Sequence, residues 1–203
     1  MGEGRGTQGR THRDPRRPRS EGIRVELKIR RALLDELSCG EDFTPPSACD
    51  DVLVGGKACA TKGECPKKAR PDLAWVGRDR MLVLEIDEFV HEAYDPSCEV
   101  SRADVVGFGG DFNSHKTCIL IRFNPHNRHR QENFEGKVIS SLASLITRLA
   151  RSPLKELGIC SEEDRLKTLI FFVNYDATSK HIKAAKEVER STGQFKVNVL
   201  HIP

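Results

Sequence analysis

The chain has 203 residues and a formal net charge of +3, long enough for one domain with a substantial core. No apolar run approaches the roughly 18–20 residues that a membrane span needs, and the N-terminus lacks the apolar core of a secretory signal. These features predict a soluble, intracellular protein, cytoplasmic or nuclear, with no membrane partner.

Residues 1–19 are rich in Gly, Arg and Pro and predict a disordered tail. Six arginines against three acids in residues 1–22 account for the whole formal excess of charge. Residues 20–203 read as one domain. Ser20 can cap a helix from near Gly22, with Ile23, Leu27, Leu34 and Leu37 on one face and a break at Cys39-Gly40. Residues 40–69 carry Pro45-Pro46, Gly55-Gly56, Gly63 and Pro66 and predict a long functional loop, with one short strand at 52–54. Cys39, Cys49, Cys59 and Cys65 fall in or beside it. Seven cysteines at loose spacing, without a CxxC pair, predict reduced thiols, with a zinc-stabilised interaction domain as the alternative.

A strand is predicted at 72–76, a hairpin turn at 77–80, and a second strand at 81–87 that is apolar at nearly every position and so buried on both faces. A helix follows at 97–106, ended by Gly107, Gly109 and Gly110. The run KTCILIRF at 116–123 is a third buried strand, stopped by Asn124-Pro125. Val138, Leu142, Leu145, Ile146 and Leu149 mark an amphipathic helix over 135–151. A strand at 168–175, a helix at 179–191 and a strand at 195–202 complete the order. Alternating elements of this kind predict an α/β layered domain with a mixed sheet.

Alternate side chains of a strand share a face, so Glu85 and Asp87 point one way while Leu84 and Ile86 point the other. The hairpin brings Asp72 beside Glu85. Two carboxylates from adjacent strands, with the Ile86 carbonyl, suit a hard cation such as Mg²⁺, which polarises phosphoryl oxygens and acidifies bound water. The competing reading is that these acids cap strand ends and pair with arginines. His91 follows six residues after Glu85 and is a candidate general acid or base. Arg102 either clamps a phosphate or pairs with Glu99, three residues before it.

Taken together, Arg70-Pro71-Asp72, Glu85-Ile86-Asp87-Glu88 followed by His91 and Tyr94, Cys98-Glu99 followed by Arg102, and Ile121-Arg122-Phe123-Asn124-Pro125 resemble the PD-(D/E)xK nuclease superfamily. The pattern is similar to a branch in large DNA viruses and protists, with spacing like that of very-short-patch repair endonucleases. The resemblance covers about 55 residues closely. It implies a restriction-endonuclease-like three-layer fold with a central mixed β-sheet flanked by helices. It also implies a Mg²⁺- or Mn²⁺-dependent endonuclease acting on duplex or structured DNA, as a monomer or homodimer. By the same resemblance Asp72 and Glu85 are metal ligands and Asp87 is a third ligand or orienter. Glu26 on the first helix matches an acid that many members place there, His91 acts as acid or base, and Arg102 and Arg122 contact phosphate. Two departures stand out: Asp87 occupies the place of the superfamily lysine, and His126 follows Asn124-Pro125 where an aspartate is usual. The lost lysine motivates a second expectation, a catalytically inactive nuclease-fold module that binds nucleic acid.

Overall fold

A computed structural model describes residues 25–38, 54–57, 67–69, 71–87, 95–97, 100, 102–103, 106, 117–126, 136–165 and 167–202. In chain order these form α1 (Val25–Ser38), β1 (Val54–Lys57), β2 (Lys67–Ala69), β3 (Leu73–Val76), β4 (Arg80–Ile86), β5 (Thr117–Phe123), α2 (Lys137–Arg151), a 3₁₀ turn (Leu154–Leu157), α3 (Glu162–Arg165), β6 (Thr168–Val173), α4 (Lys180–Thr192) and β7 (Phe195–Leu200). Between β4 and β5 the backbone is helical at Pro96, Ser97, Val100, Arg102, Ala103 and Val106. The predicted N-terminal tail lies outside the described residues. No helix among the described residues is long and apolar enough to cross a membrane.

The protein is α/β. Its main sheet has five strands in the order β3-β4-β5-β6-β7. β3 is antiparallel to β4, and β4 through β7 are parallel. β4 and β5 are buried at all seven positions of each, which is why they read as apolar at most positions, Arg80, Glu85, Thr117 and Arg122 being the buried exceptions. Strand alternation sorts their side chains into two cores. Leu82, Leu84, Ile86, Ile119, Ile121 and Phe123 pack under α1 and α2. Met81, Val83, Cys118, Leu120 and Phe172 pack under Ala103, Val106 and the Ile182–Ala185 face of α4. Burial pushes the Cys118 thiol up to about 12, so it stays protonated and unreactive.

The helices that join successive parallel strands alternate between the two faces. The strands step steadily across the sheet, so a connection over one face has the opposite hand to one over the other. The three crossovers therefore cannot all be of the usual right-handed kind.

Several boundaries differ from the sequence reading. Within the predicted 40–69 loop, β1 and β2 pair as an antiparallel two-stranded sheet with a register shift. The sequences VGGK and KKA show no apolar alternation, so the pairing leaves no pattern to read. The fourth buried strand ends at Val173, two residues early, because Asn174 takes a left-handed backbone with φ 60°. The 3₁₀ turn and α3 span four residues each, too short for a helical period to register.

Candidate functional site

The β3–β4 hairpin builds the site. The Gly77 N–H donates to the Arg80 carbonyl at 2.9 Å, closing the turn. Leu73 then pairs with Leu84, and continuing that register carries Asp72 opposite Glu85. Asp72 Oδ2 accepts the Ile86 N–H at 2.6 Å. Burial first, and the neighbouring Glu85 second, push the Asp72 carboxyl up to about 8. Glu26 in the first turn of α1 adds to that rise, and Arg102 opposes it. Glu26 itself pairs with Arg30, one turn along, at 3.5 Å.

Glu85 is 5% exposed. Its Oε2 accepts from Arg102 Nη2 at 2.8 Å, while its Oε1 is buried with no hydrogen-bond partner among the described residues. Burial raises the Glu85 pKa and Arg102 pulls it back down. An acceptor-only oxygen buried in this way is costly unless a proton or cation meets it.

Asp87 lies one residue past the end of β4, where its N–H still reaches the Phe123 carbonyl at 2.8 Å. Its carboxylate is fully buried and grips Arg122 through both oxygens, each at 2.8 Å. Tyr175 Oη donates to Asp87 Oδ2 as well. Arg122 is opposite Glu85 in the β4–β5 register and on the same face. It is buried rather than open to solvent, and its guanidinium lies 6.0 Å from the Phe172 ring centre.

Of the residues singled out by sequence, the structure brings Glu26, Asp72, Glu85, Asp87, Arg102 and Arg122 into one electrostatic neighbourhood. Arg102 meets Glu85. His91, Glu88, Tyr94, Glu99 and the cysteines 39, 49, 59 and 65 lie outside the described residues. Among the described residues no group of three or more His, Cys, Asp or Glu side chains is gathered closely enough to hold a metal ion. Asp72 and Glu85 remain a two-carboxylate pair that fits a hard oxygen-seeking cation, since such an ion is commonly held by one or two carboxylates and keeps its waters. The Ile86 carbonyl belongs to the same short stretch.

Tyr175 is the site residue that sequence reasoning missed. Simple alternation along β6 places Tyr175 with Phe171 and Val173, in the core under α1 and α2. The left-handed turn at Asn174 reverses this, and Tyr175 joins Phe172 on the other face, ring centres 5.1 Å apart and edge to face. An asparagine ending an apolar run is the signal, because asparagine tolerates that backbone better than most residues. Asn174 is further fixed by accepting the Ile202 N–H at 3.0 Å, and its carbonyl accepts from the Asn124 amide at 3.1 Å.

No protein-family model, no curated protein and no solved structure matches this chain.

Proposed function

We propose that the protein is a Mg²⁺- or Mn²⁺-dependent endonuclease that hydrolyses phosphodiester bonds in DNA, built on a restriction-endonuclease-like fold. The observation that carries the reading is the buried, unpartnered Oε1 of Glu85 beside Asp72, a carboxyl with no arginine of its own among the described residues. The mixed five-stranded sheet with helices over both faces suits that fold. When bound, the cation supplies a Lewis acid for the phosphoryl oxygen and a more acidic water. Asp72 and Glu85 would hold it. Asp87, which stands where the superfamily lysine would be, orients Arg122, whose positive charge lies opposite Glu85. Arg102 is half-exposed and contacts Glu85, within reach of a phosphate that approaches the pair. His91 enters this reading through the resemblance alone, as acid or base.

The second reading is a nucleic-acid-binding module without catalysis. It is favoured by the pairing of Glu26, Glu85 and Asp87 with Arg30, Arg102 and Arg122. Plasmid and branched DNA incubated with Mg²⁺ or Mn²⁺ tests the first reading. Asp72→Ala and Glu85→Ala should each abolish cleavage, and cleavage retained in both variants rules the assignment out. If the wild type does not cleave, calorimetry shows no Mg²⁺ or Mn²⁺ binding that depends on Asp72, and the protein still binds DNA in a salt-dependent way, the second reading stands.

A further inference from the structure

α2 covers the face of the sheet opposite the Asp87–Arg122 pair. Its buried side, Val138, Leu142, Leu145, Ile146 and Leu149, fills the core. Its outer side has an unusual make-up. The helix KVISSLASLITRLAR contains three basic residues and no acid. By contrast α1 and α4 both mix acids and bases on their exposed sides. Lys137 and Arg148 are exposed and make no ion pair among the described residues.

The hydroxyls of this helix are a separate observation. Serine and threonine within helices commonly bond back to a carbonyl one turn earlier. Ser38, Ser191 and Thr192 do so, at 2.7, 2.8 and 2.9 Å. Ser140, Ser141, Ser144 and Thr147 do not: among the described residues none of their hydroxyls takes a hydrogen-bond partner. Beside them runs an open groove of about 460 Å³ between α2 and the end of β7. Among the described residues its polar lining is Ser140, Ser141, Ser144, Arg148 and His201, with no acid. A second groove, on the α1 side, shares Ser140, Ser144 and Arg148 but is also lined by Glu36 and Glu156.

We propose that the outer face of α2, with the acid-free groove beside β7, binds the phosphate backbone of a nucleic acid. Phosphate oxygens accept hydrogen bonds from serine and threonine hydroxyls and from arginine and lysine, and these contacts position a strand without reading its sequence. The charge is complementary to a polyanion. Lys137 and Arg148 stand eleven residues apart, about 16 Å along the helix at 1.5 Å per residue, so the face spans several phosphates. The proposal shares only the class of ligand with the nuclease reading and uses a different surface.

The test is fluorescence anisotropy of labelled single-stranded and duplex DNA of arbitrary sequence, titrated with the full chain from about 50 to about 200 mM salt. Lys137→Glu with Arg148→Glu should weaken binding roughly 10–100-fold and reduce the steepness of log K against log salt by about 2, one step per lost phosphate contact. Ser140→Asp with Ser144→Asp should weaken it comparably, and Lys137→Arg with Arg148→Lys should restore it. Lys183→Glu with Lys186→Glu, an equal charge change on α4, should leave affinity within about 3-fold if the surface and not net charge matters. Unchanged affinity in the α2 variants overturns the proposal, as does an equal loss in the α4 variant or an absence of wild-type binding. A mass doubling in solution that Lys137→Glu with Arg148→Glu abolishes, at unchanged DNA affinity, assigns the face to a second copy instead. Anisotropy is read without added divalent cation and cleavage is read separately, so failure of this proposal, read from binding by the α2 variants, is distinguishable from failure of the nuclease reading, which rests on metal-dependent cleavage.

Discussion

Four carboxylates share the neighbourhood of the β3–β4 hairpin, and Glu26, Glu85 and Asp87 are matched by Arg30, Arg102 and Arg122. Asp72 has the Ile86 N–H instead. Its carboxyl pKa is raised from 3.8 to about 8, so between those values the folded chain holds a proton that the unfolded chain has released. The stability tied to that proton is complete below 3.8 and is lost as pH rises through about 8. Without added cations, the melting temperature of the wild type should therefore fall more from about pH 5 to about pH 9 than that of Asp72→Asn. Equal slopes in the two proteins would show that Asp72 is ionised in the folded state. Part of this residue-scale picture was legible beforehand. Strand alternation correctly put Glu85 and Asp87 on one face and Asp72 beside Glu85. Which arginine meets which acid was not legible, because pairing across 17 and 35 residues depends on the crossover between β4 and β5. Tyr175 was hidden for a local reason, one left-handed residue that reverses the alternation.

At the scale of elements, the buried strands were the easiest to read and the polar junctions the hardest. Arg80 shows why. It looks like a turn residue in Gly77-Arg78-Asp79-Arg80, yet it begins β4 and is 7% exposed. Its Nη1 donates to the Leu149 and Ser152 carbonyls at 2.8 and 2.7 Å, closing the C-terminal end of α2, and Asp79 takes the other side of the guanidinium at 3.0 Å. No pattern in the sequence links residue 80 to residue 149. Arg80→Ala leaves buried carbonyls without donors and should cost about 3 kcal/mol. For a chain of this size that lowers the melting temperature by roughly 6–12 °C. A loss below about 1 kcal/mol in chemical denaturation would mean that water replaces the guanidinium at little expense. The exposed side of α2 is the complementary case, since its composition was in the sequence but its unused hydroxyls became visible only once the helix was placed.

For the whole molecule, the α/β class and the order of strands and helices followed from apolar runs alternating with amphipathic segments. The side of the sheet taken by each helix did not, since an amphipathic helix can cover either face of a strand that is apolar on both. The two-stranded sheet β1–β2 was missed for the opposite reason, having no apolar face to announce it. The alternating placement of the crossover helices gives the molecule two separate cores that share only the sheet. Opening either core alone leaves β4 and β5 sealed on the other side, whereas β7 is half-buried along most of its length. Exposure of the central backbone to solvent then requires both layers to part at once. Amide hydrogens at Leu82–Leu84 and Ile119–Ile121 should consequently exchange with deuterium only through global unfolding, and those of β7 through smaller openings at lower free energy. Denaturant dependence of exchange, followed residue by residue, would read this directly: a central strand that exchanges through local fluctuation would mean that one core alone does not seal it.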